Sequence, residues 1–395
     1  MLKVKENNKI DNYLFTGYSK KKLYCLSKTY EELARLYRGM TQEEGFAGSR
    51  NDILRQYQLY QANQVFANHL EEISEAFADM ADTVMHVNVP AAHKRRALVQ
   101  FLKKKGIVVR GIIFLEGGGS ADRISIEARL GGRRMMSAAE LGGLLSDFFG
   151  RRLIPSYESA QCLVRGYETF IFEDEPRYAL MSAVSRAVKE GEKISGDNFS
   201  LEEYNQNQTT LMISDGMGSG EQAHKDSQAV IELMEKLLEA GFNKEKAFTM
   251  ANSALASQAQ CGSLTTLDLC SVNLLTGEAE FLKAGAAPSY IKRGARAEEI
   301  ASDTLPLGSI AELCPMLQSA RLEHGDMLVM VSDGIADAFG DTPSESLAQA
   351  IAGSSTLNPK GLSDYLLRYA INRQGGHITD DMTVLVCSVI KSAYR

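Results

Sequence analysis

Two short apolar runs that each end in Ser-Asp-Gly constrain the fold of this chain most strongly. Residues 209–213 are β-branched or apolar and are followed by this tripeptide, with its carboxylate at Asp215. Residues 328–331 are followed by the same tripeptide, with its carboxylate at Asp333. Runs of this length suit buried strands, and the glycines that follow permit turns that a side chain would hinder. The sequence therefore predicts two strands that each deliver a carboxylate to a loop.

Two further acidic corners accompany these strands. Asp197 follows Ser-Gly just upstream of the first strand, and Asp380 opens the last predicted strand together with Asp381. Four carboxylates in one pocket would repel one another unless cations occupied the site. Oxygen ligands suit Mg²⁺ or Mn²⁺, and the six histidines are too dispersed to favour zinc. The sequence therefore predicts two Mn²⁺ or Mg²⁺ ions held by Asp197, Asp215, Asp333 and Asp380.

Such a metal pair indicates phosphoester hydrolysis. Two hard cations that share a carboxylate lower the pKa of the water between them and hold phosphoryl oxygens in line, so no covalent enzyme intermediate is needed. A single Ser-Asp-Gly is more often a turn or a helix cap, but four acidic corners in one half of the chain weaken that alternative.

Two other features have alternative interpretations. The glycine-rich loop at 216–220 could cradle a nucleotide phosphate, but it lacks the Lys-Ser/Thr ending of a P-loop and the full G-x-G-x-x-G spacing. Asp268 lies within a predicted strand among apolar neighbours, so a buried, hydrogen-bonded structural role is predicted for it rather than metal ligation.

Length and composition predict two or more domains, and the order of strands and helices favours an α+β protein. The chain has 395 residues, a net charge of −7 and a 44% hydrophobic share, so it offers no basic field for nucleic acid. Its six cysteines are scattered without paired spacing and are predicted to be reduced. No run approaches the roughly 18 apolar residues of a membrane span. A cytoplasmic location is expected, with any membrane association supplied by a region outside this chain.

Three regions are predicted along the chain. Residues 1–90 form a helical segment, 91–175 a small α/β unit without a catalytic cluster, and 176–395 the domain that carries the acidic corners. The long helix in the first region has apolar residues at alternating spacings of three and four, which form a seam for another helix. The seam residues are Phe66, Leu70, Ile73, Phe77, Met80 and Val84. The seam packs either within its own domain or against a second copy, and a homodimer through these helices is expected.

Residues 176–395 resemble the PPM metal-dependent protein phosphatases (protein phosphatase 2C-like), and in particular the SpoIIE family of sporulation phosphatases. The resemblance is carried by six segments in the family's order: 195–197, 214–220, 263–268, 283–289, 332–334 and 380–383. Residues upstream, from about 53, resemble the regulatory region of that family more weakly. The resemblance implies a C-terminal αββα sandwich, preceded by the long helix and a small α/β regulatory domain.

The resemblance also implies an activity and roles for individual residues. The implied substrate is the phosphoserine of a small anti-anti-sigma factor of the SpoIIAA type, whose dephosphorylation controls sigma factor activation in sporulation. Asp197 and Asp215 are the implied catalytic carboxylates, and Asp215 bridges both metals beside the Gly216 carbonyl. Asp333 and Asp380 are implied to be further ligands. Helices at 222–257 resemble the element that shifts to complete the metal site.

The sequence departs from the family pattern at three points. No basic residue adjoins Asp197 to match the phosphate-holding arginine of eukaryotic relatives, so substrate affinity is expected to rest on the metals and on the partner's surface. Asp381 stands where relatives often carry Asn, which limits it to supporting the ligands. The membrane region of the family member is not found in this chain. A catalytically silent scaffold that binds phosphoprotein is the alternative function, although all four corners remain acidic.

Overall fold

The computed structural model describes most of the chain, which divides into two compact units, 1–175 and 176–395. The described residues are 22–35, 38, 50–83, 86–88, 92–116, 123–132, 135–205, 207–240, 242–258, 264–310, 313–340 and 342–392. Within these ranges, no helix is long and apolar enough to cross a membrane.

Two helices form the N-terminal part of the first unit. Helix α1 covers residues 22–35 and packs against the long helix α2, Arg50–Thr83. Ser27 and Ser74 share a hydrogen bond of 3.2 Å, and the rings of Tyr30 and Phe77 stack with centroids 5.5 Å apart. The predicted seam of α2 thus packs against the chain's own helix around Phe77.

Other seam positions are less enclosed. Phe66 is exposed, and Val84 lies outside the described residues. The pairing with a second copy of the chain stays a prediction, because the contacts within one chain leave part of the α2 surface exposed.

The rest of the first unit is a small α/β body. Its elements are β1 His86–Asn88, α3 Ala92–Lys104, β2 Ile107–Glu116, β3 Arg123–Leu130, β4 Met136–Ser137, α4 Ala138–Phe149, β5 Leu153–Pro155, β6 Cys162–Leu163 and β7 Glu168–Asp174. Five strands form an antiparallel sheet in the order β1-β2-β3-β7-β5. Alternate residues of β3 are buried, so one face of the sheet packs on the apolar sides of α3 and α4.

The ends of α4 show why the sequence forms a helix there. Ser137 and Glu140 form a reciprocal capping box at its N-terminus, and Gly150 ends it in the left-handed conformation with φ 66°. Helix α4 therefore begins at Ala138, since Met136 and Ser137 pair as strand with Leu163 and Cys162.

The second unit is built from two five-stranded antiparallel sheets. Its elements are β8 Tyr178–Ala187, β9 Asp197–Asn205, β10 Gln208–Asp215, α5 Gly220–Glu239, α6 Lys244–Gln258, β11 Leu267–Asn273, β12 Glu278–Ala284, β13 Ser289–Arg293, β14 Arg296–Ile300, β15 Met316–Arg321, β16 Met327–Val331, α7 Asp333–Asp337, α8 Pro343–Gly353, α9 Pro359–Arg373 and β17 Met382–Lys391. The first sheet has the order β15-β12-β11-β10-β9 and the second the order β14-β13-β16-β17-β8.

Three apolar layers hold the four-layered unit together. Leu211, Cys270 and Leu385 belong to the layer between the two sheets. A second layer joins the outer face of the first sheet to α5 and α6, and a third joins the second sheet to α7, α8 and α9. Such helix-sheet-sheet-helix layering buries both faces of each sheet. The predicted αββα sandwich is confirmed.

Candidate metal centre

The four predicted carboxylates come from both sheets and lie at one end of the sandwich. Strands β9 and β10 pair antiparallel with Asp197 directly opposite Asp215. In the second sheet, β16 pairs with β17, so Asp333 after the end of β16 lies beside Asp380 before the start of β17. The structure therefore brings together all four aspartates that the sequence singled out.

Burial and repulsion raise the pKa values of Asp197, Asp215 and Asp333. The pKa of Asp215 rises to about 9, first because its carboxyl is buried and then because Asp197, Asp333 and Asp380 lie close to it. Burial likewise raises the pKa of Asp197 to about 6, against the lowering effect of hydrogen bonds from Thr383 and Ser332. Without a cation, part of the cluster therefore holds protons at neutral pH.

Asp333 and Asp380 form the more open side of the cluster. Asp333 is exposed on one side, yet the burial of its carboxylate among neighbours and the charge of Asp380 raise its pKa. Asp380 accepts a 3.0 Å hydrogen bond from the Asp381 amide. Its Oδ1 atom also lies 3.6 Å from the ammonium of Lys189. Solvent can therefore reach the cluster from this side.

Asp197 offers a buried oxygen atom to the site. Thr383 donates a 2.6 Å hydrogen bond to its Oδ2 atom, whereas Oδ1 is buried with no hydrogen-bond partner among the described residues. A buried carboxylate oxygen without a donor is costly unless a cation or water binds it.

The donor set fits a hard divalent cation, since it consists of carboxylate oxygens. Within the described ranges, no three His, Cys, Asp or Glu side chains are already arranged as ligands of one ion. Burial and the charges of Asp197, Asp333 and Asp380 raise the pKa of Asp215, so a cation that binds this carboxylate displaces a proton from it.

Asp381 has a different environment from the four clustered aspartates. It accepts a 2.7 Å hydrogen bond from the Gly196 amide and a 3.0 Å hydrogen bond from the Lys189 amide. Both of its oxygens are therefore engaged in holding the loop before β9, and this contact positions Asp197. The predicted supporting role of Asp381 accords with these bonds.

Asp268 forms its contacts within the core of the second unit. It is buried and forms an ion pair of 2.6 Å with Lys283, and Ser289 donates a hydrogen bond to the same carboxylate. The prediction of a buried, hydrogen-bonded role is confirmed.

Helix α5 packs directly against the loop that follows Asp215. A Cβ atom at Gly216 would lie 2.1 Å from the carbonyl oxygen of Ala223 in the first turn of α5. The same helix contacts the loop before β9, because the Ser227 hydroxyl donates to the Gly196 carbonyl and a ring nitrogen of His224 lies 2.9 Å from the Ser195 carbonyl. The first two turns of α5 therefore contact both the loop after β10 and the loop before β9.

We expect Gly216→Ala to reduce stability and activity together. The added methyl group meets backbone atoms, which cannot move aside as a side-chain tip could, so α5 must shift away from Asp215; overpacking of this kind costs about 1–3 kcal/mol or more. Thermal unfolding and Mn²⁺-dependent phosphate release would measure both effects. Gly353→Ala is the matched control, since a Cβ atom there meets no described atom within 4 Å. Equal behaviour of the two variants would contradict the tight contact.

Two basic residues at the site were missed by sequence reasoning. The Arg186 guanidinium donates to the Asp197 carbonyl and lies over the Phe199 ring at 5.5 Å, and Lys189 lies beside Asp380. No basic residue adjoins Asp197 in the sequence, but in the structure Arg186 reaches its backbone from strand β8. Residue 186 is eleven positions upstream, and only the pairing of Arg186 on β8 with Thr383 on β17 brings it to this end.

Comparisons with known proteins agree with this geometry. The profile of the family described as Stage II sporulation protein E (SpoIIE) matches residues 205–390. The chain is 29% identical over 371 residues to stage II sporulation protein E of Bacillus subtilis (strain 168), which covers 93% of this chain and 44% of that protein. Identity to the protein of the same name from Priestia megaterium is 27% over 335 residues, which covers 84% of this chain and 57% of that protein.

A solved structure supports the same assignment. It contains the PP2C phosphatase domain and a fragment of the regulatory domain of the cell fate determinant SpoIIE from Bacillus subtilis. Its TM-score is 0.63 at 26% identity, and the alignment covers 84% of this chain and 98% of that one. The sandwich and its aspartate cluster thus define a phosphatase domain of the PPM (PP2C-like) class of protein-serine/threonine phosphatases.

Within that class, the chain is similar to the SpoIIE family, whose profile matches residues 205–390. It spans about half the length of the two relatives named above, 44% and 57% respectively.

Proposed function

We propose that this chain is a metal-dependent protein serine phosphatase that hydrolyses phosphoserine on a small partner protein during sporulation. The observation that carries the proposal is the meeting of four carboxylates from two sheets, with raised pKa values at Asp197, Asp215 and Asp333. Nothing in the apolar core of the sandwich requires such a cluster, whereas a pair of cations does.

We assign the metal-holding atoms as follows. The carboxylate of Asp215 lies centrally, since its pKa is raised by all three of the other clustered aspartates, and the Gly216 carbonyl adjoins it in the chain. Asp333 and Asp380 supply the open side, and Asp197 supplies its free buried oxygen. Two Mn²⁺ or Mg²⁺ ions, when bound there, would activate a water molecule and neutralise phosphoryl oxygens.

The chain's own residues prepare this site. Thr383 and Asp381 fix Asp197 from two directions, one by a side-chain hydrogen bond and the other through the backbone of Gly196. Lys189 places a positive charge at the open side, where an incoming phosphate monoester carries negative charge. These contacts orient the carboxylates before any substrate arrives, which is the main requirement for electrostatic catalysis.

The substrate that we propose is a phosphorylated anti-anti-sigma factor of the SpoIIAA type, so that dephosphorylation would control sigma factor activation. This follows from the family assignment and from the motifs of residues 195–383. The test is phosphate release from such a phosphoprotein and from p-nitrophenyl phosphate, with Mn²⁺ or with EDTA. Metal-dependent release from both supports the proposal. Binding of the phosphoprotein without release from either substrate would favour the non-catalytic scaffold.

We expect the affinity for Mn²⁺ to rise with pH between 6 and 8. Asp215, with a pKa of about 9 in the metal-free protein, holds a proton over this whole range, and a protonated carboxyl cannot bind the cation. Binding therefore releases a proton, and each released proton tightens binding by up to about tenfold per pH unit. Calorimetry in buffers of different ionisation enthalpy would measure both the affinity and the protons released. An affinity independent of pH would contradict the proposed ligands.

A homodimer through the N-terminal helices also remains our proposal. Phe77 is a poor test position because it stacks on Tyr30 of the same chain. Phe66 is exposed on α2, so we expect Phe66→Asp to lower the mass seen by light scattering from dimer to monomer without unfolding the helix. Glu75→Asp, at another exposed position of α2, should leave the mass unchanged. A dimer that persists in Phe66→Asp would exclude this face.

A further inference from the structure

Exposed apolar side chains lie on the segments that border the aspartate cluster on its β11 side. Met217, Leu305 and Ile310 expose 60%, 50% and 46% of their surfaces, and we call these three residues the apolar rim. Met217 directly follows Gly216 of the metal centre. Large apolar side chains that remain this exposed beside a polar site are typical of surfaces that bind another molecule.

Backbone pairing places the parts of the apolar rim next to one another. The Met217 amide donates a 3.0 Å hydrogen bond to the Leu264 carbonyl. Thr265 pairs on one side with Gly216 and on the other with Leu307. Leu307 lies between Leu305 and Ile310 in the chain. The segment of Leu305 and Ile310 is therefore separated from the Gly216 backbone by a single paired residue.

The segment 305–310 is held in a defined conformation. The Asn252 side chain accepts a 2.9 Å hydrogen bond from the Gly308 amide and donates one of 2.9 Å to the Ile310 carbonyl. Pro306 packs on Gly285, where a Cβ atom would lie 2.6 Å from the proline ring. Leu305 and Ile310 therefore reach solvent from a backbone that is fixed to α6 and to the end of β12.

We propose that the apolar rim receives apolar residues that flank the phosphoserine of the protein substrate. This inference rests on the proposed function. A phosphoserine that enters the aspartate cluster must bring its neighbouring residues across the margin of the site, and on the β11 side that margin is apolar. Removal of these side chains from water stabilises the complex only when the substrate also presents apolar groups, since polar groups would lose their hydration without a partner.

The opposite margin adds a basic side chain. The Arg186 guanidinium lies on the β9 side of the cluster, where it donates to the Asp197 carbonyl, whereas the apolar rim lies on the β11 side. The two margins are separated by β10, because β9 and β11 pair with its two edges. Phe199 is also exposed on the β9 side, so the test varies the residues on both flanks of the phosphoserine.

The test uses two synthetic phosphoserine peptides that differ only in the two residues on each side of the phosphoserine, leucine in one and asparagine in the other. With Mn²⁺, we expect kcat/KM of the native chain to be at least about tenfold higher for the leucine peptide, which corresponds to about 1.4 kcal/mol. Leu305→Asn combined with Ile310→Asn should bring this ratio close to one. Leu357→Asn is the matched control, because Leu357 is 78% exposed on the loop before α9, and it should keep the native ratio.

Two outcomes would overturn the inference. The first is that the native chain hydrolyses p-nitrophenyl phosphate but has the same kcat/KM for both peptides, or that the double variant keeps the native ratio of kcat/KM. The apolar rim then does not bind the residues that flank the phosphoserine, while the proposed function stands. If the native chain with Mn²⁺ hydrolyses neither the peptides nor p-nitrophenyl phosphate, the proposed function fails and the rim proposal fails with it.

Discussion

Asp215→Asn is expected to abolish metal-dependent phosphate release and, at the same time, to stabilise the metal-free protein. Asn keeps the shape of Asp but lacks the negative charge that the cations need, so kcat/KM should fall by at least about a hundredfold, the size of effect seen when one group that stabilises transition-state charge is removed. Phosphate release with saturating Mn²⁺ measures this loss.

The stability gain follows from the raised pKa of Asp215. Its folded-state pKa is about 9, above the value of about 3.9 expected in the unfolded chain. The native state therefore binds a proton that the unfolded chain releases, and native stability falls as pH rises from about 4 towards 9. Asn undergoes no such titration. In EDTA, the variant should unfold at a higher temperature than the native chain at pH 8, with a smaller difference at pH 5.

Asp147→Asn provides the control for the same chemical change. Asp147 is an exposed residue of α4 in the first unit, and its replacement should leave the activity and the unfolding temperature in EDTA close to the native values. The combination of lost activity and gained stability distinguishes a functional carboxylate from a structural one. An Asp215→Asn chain that is inactive and also less stable would instead indicate that the carboxylate holds the fold together.

Much of the phosphatase unit could be predicted because its signals are local. The apolar runs before Asp215 and Asp333 end abruptly at glycines, and the strands end there as well. Antiparallel pairing places the end of one strand beside the start of its neighbour. Asp215 at the end of β10 therefore meets Asp197 at the start of β9, and Asp333 after β16 meets Asp380 before β17. Helix α5 is also a local feature, since its apolar face lies within one stretch of the sequence.

What sequence reasoning missed depends on contacts between distant residues. Arg186 reaches Asp197 because β8 pairs with β17 in one register, and no pattern near residue 186 indicates that partner. The packing of Phe77 on Tyr30 likewise depends on how α1 folds back on α2. A heptad-like seam indicates that a helix packs against another helix, but it does not identify that helix.

The buried ion pair of Asp268 and Lys283 is another contact that the pattern of apolar residues in the strands could not predict. Both side chains are only 2% exposed and lie 2.6 Å apart, in strands β11 and β12. The Lys283 ammonium also donates to the Ser289 hydroxyl and the Ala287 carbonyl, each at 2.8 Å. One ammonium group thus links β11, β12, β13 and the turn before β13. Lys283 lies directly opposite Asp268 in the pairing of β11 with β12, and this carboxylate explains its buried charge.

Lys283→Met is expected to destabilise the phosphatase unit by about 3–5 kcal/mol, the cost of leaving one member of a buried ion pair without its partner. Asp268 would retain its hydrogen bond from Ser289, but its other oxygen is already buried without a partner among the described residues. Hydrogen exchange of the β11 amides measures the loss, since the most protected amides report the free energy of unfolding of their unit.

Two further variants show whether the loss of stability comes from the unpaired buried charge of Asp268 or from the loss of a lysine side chain as such. Lys244 pairs with Glu280 of the same strand β12 at a more exposed position, so Lys244→Met should cost less than about 1 kcal/mol. The triple variant Asp268→Leu, Lys283→Met and Ser289→Ala replaces the whole polar group with apolar side chains and should recover most of the lost stability, because no unpaired charge remains. If the triple variant is as unstable as Lys283→Met, the pair contributes by its specific bonds rather than by mutual neutralisation, and the two sheets depend on it for their alignment.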